Sequence, residues 1–356
     1  MRKVRVLFAP DYRAGNPYQR LLAEALAGHG VEVDCLSSYR RGLPLFRGIA
    51  AAAPDVVHLH WPEAYFARRG DRLDQLRVAR YRLDLRLAAS RVPIVVTAHN
   101  LLPHNRATEA GVFRNMRATL HRAEAIFVHS QASRAKLAQI FDVADERIAV
   151  IPFGDHAVTL GPPIPHETAR ATLALPADQK ICLIFGTVSP YKGIKEVVEA
   201  WSRSRIPHRL VVAGPVLYSD YAKQLEDAAE GNAAIELHIS PRWLDDEALR
   251  TWLSAADCAI FNYLDIFTSG AAALARSYGL PILLPNRATT VDLGEPHPTV
   301  LRFESVDIDL PHVVEWALAM RPDYELARGW REQTSWARVA EATAPVYSRV
   351  ANALKS

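Results

Sequence analysis

The chain has 356 residues, and 42 basic against 39 acidic side chains leave a net charge of +3. That near balance argues against a strongly basic nucleic-acid binder. Hydrophobic residues at 49% and charged residues at 23% exclude disorder of the whole chain and suggest two domains of ordinary size. No run of about 18 uncharged apolar residues is present to cross a bilayer. The apolar run in MRKVRVLFAP is short and carries Arg5, so it does not read as a secretory signal and a cytoplasmic protein is expected. Cys35, Cys182 and Cys258 lie far apart in strand-like contexts, which fits buried reduced thiols rather than a disulfide framework or a zinc site.

A strand over 4–9, a helix over 17–27 and strands over 31–36 and 56–60 are predicted first. A helix over 73–89, a strand over 94–98, a helix over 109–122, a strand over 125–129, a helix over 131–141 and a strand over 148–151 follow. The alternation pauses at GPPIPHE, whose three prolines mark a linker. It restarts with strands over 181–187, 210–213, 235–239, 259–261 and 282–284, separated by helices over 194–201, 219–229, 245–254 and 269–278. Near-continuous apolar strands such as ICLIFG fit parallel sheets buried on both faces. Two α/β halves joined by a linker predict two doubly wound domains, over 1–160 and 175–335, with ligands beyond the carboxyl ends of the strands. A last helix over 336–356 should break or kink at Pro345.

No G-x-G-x-x-G follows a strand and no Walker A loop is present, which disfavours nicotinamide and P-loop chemistry. In FGTVSPYKG, Gly186 permits close backbone approach at a strand end, and Lys192 reaches an anion in front of a helix start. The plainer alternative is a strand–helix turn with an exposed lysine. In FNYLDIFTSGAAALARSYGLPILLP, Thr268, Ser269 and Gly270 stand where a loop becomes a helix, as a second phosphate cradle or an ordinary N-cap. Both cradles in one half favour a diphosphate ligand. The D-x-D at Asp307–Asp309 reads as a helix cap or a solvated loop rather than a metal site.

The first half carries HLHWPE and AHNLLPH at the ends of adjacent predicted strands. His60, Glu63, His99, Asn100 and His104 then line one cleft, with Gly15 and Asn16 in the loop after the first strand. A histidine or glutamate there can act as general base. Zinc lacks a third ligand of clear spacing, and His58 reads equally as a satisfied core imidazole. Between 66 and 91, eight arginines face three aspartates, with leucines interleaved at helical spacing. That pattern fits a core-facing helix with a solvated basic face, or a peripheral contact of Arg68–Arg91 with anionic lipid at the inner face of the cell membrane.

Together DVVHLHWPE, VPIVVTAHNLLPH, AIFVHSQASRAKL, RIAVIPFGD, FGTVSPYKG, LVVAGP, DEALRTWLSAADCAIFNY and GLPILLP resemble the two-domain glycosyltransferases of the GT-B fold, in the group 1/GT4-like set. HLHWPE, AHNLLPH, PYKG and the T-S-G turn look closest to bacterial exopolysaccharide β-mannosyltransferases of the xanthan type. The resemblance implies two Rossmann-like domains facing a cleft, with SWARVAEATAPVYSRV as a closing helix that crosses back to the first domain. It implies a nucleotide-sugar donor held by Gly186, Thr187, Lys192, Arg242, Trp243, Thr268, Ser269 and Gly270, with Trp243 stacking on the base. It places His99 near the sugar and requires no metal and no cofactor. This chain departs from the family at Thr187, where an arginine is usual, and at Ile266 and Leu274, where a carboxylate pair is usual.

The expected function is transfer of a sugar, first mannose from GDP-mannose, to a lipid-linked saccharide in bacterial polysaccharide assembly. Glu63 or His99 would be the base of an inverting reaction, toward which the missing glutamates tilt. The alternatives are an epimerase or phosphorylase on the same fold, a degenerate subunit, and a sugar-binding protein. Calorimetry with nucleotides tests for a donor site against the degenerate subunit, transfer to an acceptor separates a transferase from an epimerase or phosphorylase, and turnover of any donor eliminates the sugar-binding protein.

Overall fold

The computed structural model describes residues 2–37, 42–66, 75–101, 110–176, 178–287 and 298–353. The chain divides into two compact units, Met1–Gly154 with Thr334–Ser356, and Asp155–Gln333. His104 and the arginines 68, 69 and 72 lie outside the described residues.

The first unit runs β1 (Val4–Ala9), α1 (Tyr18–Ala27), β2 (Val31–Cys35), α2 (Pro44–Ala52), β3 (Val56–His60), α3 (Gln75–Ala89), β4 (Ile94–Thr97), α4 (Ala110–Arg122), β5 (Ala123–Val128), α5 (Gln131–Phe141) and β6 (Ile148–Val150). Its strands are parallel in the order β2-β1-β3-β4-β5-β6. The chain therefore changes direction across the sheet between β1 and β3. The carboxyl ends of those strands splay there and leave a crevice. Helix α2 has no counterpart among the predicted elements. Its start is capped from a distance: Asp84 on α3 accepts the backbone N–H groups of Leu45 and Phe46, each at 2.9 Å. A cap supplied by another helix leaves no local signature.

The second unit opens with α6 (Ala157–Leu160) and α7 (His166–Thr172). It continues as β7 (Ile181–Phe185), α8 (Ile194–Ser204), β8 (Arg209–Pro215), α9 (Ser219–Ala229), β9 (Ile235–Ser240), α10 (Asp246–Ala255) and β10 (Cys258–Ile260). It ends with α11 (Gly270–Ser277), β11 (Ile282–Pro285), β12 (Val300–Phe303), α12 (Val306–Ala319) and α13 (Arg328–Gln333). The parallel order β12-β11-β10-β7-β8-β9 reverses between β7 and β10, the second such crevice. Trp201, Val197 and Leu225 pack on one face of this sheet, and Phe185, Leu253 and Leu284 belong to the cluster on the other. Cys182 and Cys258, distant in sequence, are register partners across β7 and β10, and their free thiols lie 3.1 Å apart in the core.

The chain then returns to the first unit as α14 (Trp336–Ala353), packed on α1 and the first sheet. Pro345 lies inside α14 rather than ending it, so of the expected break or kink the break does not occur. The proline is on the solvent side of the helix, so the Glu341 carbonyl it leaves without an N–H faces water. Trp336, Val339, Ala340 and Tyr347 hold the opposite side in the core.

Candidate active site

In the second unit, the crevice between β7 and β10 collects the small and cationic residues singled out from the sequence. Strand β7 delivers Gly186 at its carboxyl end with φ of 86°. A Cβ there would lie 3.1 Å from the Lys192 Nζ and 3.8 Å from the Ala271 Cβ, so the ammonium, the strand end and the first turn of α11 converge. Lys192 is not an exposed lysine. It is 7% exposed, and its Nζ donates at 3.4 Å to the Phe185 carbonyl. No ion pair to it is present among the described residues. Burial pulls its ammonium down to about 8. A buried cation beside one carbonyl is an incomplete electrostatic arrangement that an anion would complete.

The turn that carries Lys192 is fixed by its neighbours. Gly193 has φ of 61°, and a Cβ on it would meet the Asn262 carbonyl oxygen at 2.3 Å. Asn262 Nδ2 donates to the Gly193 carbonyl at 3.0 Å, tying the end of β10 to this turn. Across the crevice, Ser269 caps α11, its hydroxyl accepting the Ala272 N–H at 3.1 Å. The Tyr263 hydroxyl bonds the same Ser269 oxygen. The first N–H groups of a helix, here from Gly270 onward, have no intrahelical acceptor and attract anionic groups. Gly270 is exposed, and Thr187 and Thr268 are half-buried at the rim.

The remaining donor-side candidates are more scattered. Arg242 and Trp243 follow the edge strand β9, two strands away from β7, and Trp243 is 69% exposed. Ile266 and Leu274 are core residues, 4% and 9% exposed. The loss of the family carboxylates at those positions is therefore matched by apolar packing. The D-x-D residues are engaged in the helix start. Asp309 accepts the N–H groups of Glu304 and Ser305 at 2.9 and 2.8 Å, and Asp307 pairs with Arg203. No group of three metal-ligating side chains occurs among the described residues.

In the first unit, the β1/β3 crevice holds an aromatic and imidazole cluster. Parallel pairing sets His60 beside Thr97, two residues before His99. His60 Nδ1 and His99 Nε2 are 3.1 Å apart, and the Trp61 ring stacks on His99 at 3.9 Å and 11°. Trp61 has φ of 47°, uncommon for a bulky residue and costing about 1–3 kcal/mol. Tyr18 closes edge-on against His99 at 4.7 Å. His58 is a satisfied core imidazole: its Nδ1 is 2.7 Å from the Tyr347 hydroxyl and its Nε2 2.8 Å from the Thr97 hydroxyl. Burial holds both His58 and His60 well below the usual imidazole range, so both are neutral at pH 7.

Glu63 follows in the 3-10 turn Pro62–Tyr65. Burial pushes its carboxyl up to about 7. That value suits proton exchange near neutral pH. Asn100 is half-buried at the end of β4. The loop after β1 is held by Gln19, whose Nε2 donates to the Pro10 carbonyl and whose Oε1 accepts the Tyr12 N–H, both at 2.8 Å. Gly15 N–H donates to the Tyr12 carbonyl at 3.0 Å, and the Asn16 side chain accepts the Tyr18 N–H at 2.9 Å. Sequence reading missed Gln19, Asn262 and Tyr263. An amide inside an apolar helix and FNY directly after a strand were the available signals.

The Glycosyltransferase Family 4 profile matches residues 6–154, and the Glycosyl transferases group 1 profile matches residues 165–283. Two curated relatives from Xanthomonas campestris pv. campestris, each described as GDP-mannose:glycolipid 4-beta-D-mannosyltransferase, are 24% identical to the chain. The matches cover 65% and 68% of this chain but 61% and 64% of those proteins, less than two thirds of their length. Sucrose-phosphate synthase from Thermosynechococcus elongatus superposes with a TM-score of 0.75 at 20% identity, over 99% of this chain and 100% of that one. The chain belongs to the group 1 glycosyltransferases of the GT-B fold.

Proposed function

We propose that the protein transfers a hexosyl group from a nucleoside diphosphate sugar to a lipid-linked saccharide, with GDP-mannose as the first donor. The observation that carries this reading is the buried Lys192 ammonium between Gly186 and the first turn of α11. The names of the two Xanthomonas relatives support GDP-mannose as donor and a glycolipid as acceptor.

The reaction joins an acceptor hydroxyl oxygen to the anomeric carbon and breaks the bond from that carbon to the diphosphate. It releases one proton and leaves negative charge on the departing diphosphate. Lys192 and the α11 N–H groups would take up that charge without a metal. Glu63, with its raised carboxyl, would accept the proton if the configuration inverts. His99, held by His60 and Trp61, would orient the sugar. Arg242 and Trp243 would contact the base.

The core burial of Ile266 and Leu274 favours one second reading, a degenerate member that no longer turns over. Calorimetry with GDP, UDP, ADP and dTDP in the presence of EDTA separates the two. Selective GDP binding is expected, weakened roughly tenfold to a hundredfold in Lys192→Ala through loss of a charge-assisted contact. Binding of none of the four would overturn the transferase reading, and binding only with added metal would overturn its metal-free form. Transfer of labelled sugar to a glycolipid acceptor then distinguishes a transferase from an epimerase or a phosphorylase.

A further inference from the structure

Helix α3 carries apolar side chains on both faces. On its inner face Tyr81, Leu85 and Ala88 are buried, and the Tyr81 hydroxyl bonds the Thr119 hydroxyl of α4 at 2.7 Å. Asp84 is also buried, holding the start of α2. A surface helix normally turns charged and amide side chains to the outside. The outer face of α3 instead presents Leu76, Ala79, Arg82, Leu83 and Arg86. Leu76 is 81% exposed, the most exposed large hydrophobic side chain among the described residues, and Leu83 is 50% exposed.

The two leucines are seven residues apart, two helical turns, so they stand in one row along the axis. The sole acid of α3 points inward, so the charge of the outer face is entirely basic. A single exposed leucine needs no explanation. A row of leucines flanked by arginines, with no other acid than the inward Asp84 on the described helix, matches a bilayer. It offers a plane of anionic headgroups over a layer of hydrocarbon, within reach of one helix face.

We infer that the outer face of α3 docks on an anionic lipid surface, with Leu76 and Leu83 inserted at the acyl boundary and, on headgroup phosphates, Arg86 and the terminal nitrogens of Arg82, whose Nε donates to the Asn115 side chain of α4 at 2.8 Å. This contact is independent of the donor site and of the reaction proposed for it. The test floats the full chain with vesicles of phosphatidylcholine alone and of phosphatidylcholine mixed with phosphatidylglycerol, at low and at physiological salt. The expected result is binding to the mixed vesicles that weakens with salt. The Leu76→Ser/Leu83→Ser variant should lower partitioning by roughly tenfold or more. Arg82→Gln/Arg86→Gln should lower it about tenfold on mixed vesicles, with little change on neutral ones.

Leu76→Ser alone, at the more exposed position, serves if the double variant does not fold. Amide protection of β1 to β6 in hydrogen exchange shows that the first unit of each variant is folded, whatever the outcome of nucleotide calorimetry, so failure of lipid binding is read separately from failure of the donor reading. Absence of binding at low salt overturns the inference, as does a leucine variant that binds like the unaltered chain. A change of oligomeric size in the leucine variant, with no vesicle binding by either form, overturns it too and assigns the face to self-association.

Discussion

Two titratable side chains, both shifted by burial, give the reaction an expected pH signature. As the proposed base of an inverting reaction, Glu63 must be ionised to accept a proton, and burial pushes its carboxyl up to about 7, so activity is expected to rise as pH climbs through that value. In the proposed donor site Lys192 must be protonated to hold a diphosphate, and burial pulls its ammonium down to about 8, so activity is expected to fall as pH climbs further. The profile of kcat/KM, which reports free-enzyme groups, should be a narrow bell between those two values. Glu63→Gln should remove the acid limb and lower turnover by about a hundredfold to ten-thousandfold. Lys192→Arg keeps the charge at any working pH and should move the alkaline limb out of range. An acid limb unchanged in Glu63→Gln would show that another group, His99 first, carries the proton. The position of Lys192 beside Gly186 was legible in the sequence because a glycine at a strand end and a helix start constrain what lies between them, but its burial was not. The Tyr347–His58 bond was not legible: its partners are 289 residues apart and meet only once α14 has folded back.

Elements were read most securely where their stabilisation is local. The apolar runs of β3, β4, β7 and β8 and the Ser269 cap of α11 announce themselves. Elements stabilised from elsewhere do not: α2 depends on Asp84 of α3, and Leu76 of α3 looked like a core residue because helical spacing carries no sign of which face is inside. Pro345 is the sharpest case. Local chemistry predicts a break, yet the packed face of α14 on the first sheet carries the helix through it. Proline inside a helix is about 3 kcal/mol less favourable than alanine. The position is exposed, so Pro345→Ala adds a backbone hydrogen bond to the Glu341 carbonyl without disturbing the core. The variant should be more stable by about 1–3 kcal/mol in denaturant unfolding. A loss of stability instead would mean that the curvature set by the proline is what fits α14 to the sheet.

At the scale of the molecule, the chain closes one sheet system twice and then returns to the first. The reversals of strand order between β1 and β3 and between β7 and β10 place the imidazole cluster and the lysine cradle at equivalent points of their sheets. That repetition was legible from strand–helix alternation, whereas the return of the last helix was expected from the resemblance alone, because it depends on which core lacks a wall, a property of the folded whole. Unit Asp155–Gln333 needs nothing from beyond its ends to complete its two core clusters. The first unit does: Trp336, Val339, Tyr347 and Val350 of α14 pack in the same cluster as Phe8, Leu22 and Val95. Each such side chain contributes about 1.5–3 kcal/mol when buried, so four together approach the about 5–15 kcal/mol that stabilises a whole domain. A chain ending at Gln333 should therefore lose amide protection throughout β1 to β6 in hydrogen exchange, while β7 to β12 keep theirs. Tyr347→Phe removes only the hydroxyl bond to His58 and should cost about 1 kcal/mol, leaving both units protected. If the truncated chain instead keeps β1 to β6 protected, α14 is a covering strap rather than a wall of the core, and the imidazole cluster owes its geometry to the sheet alone.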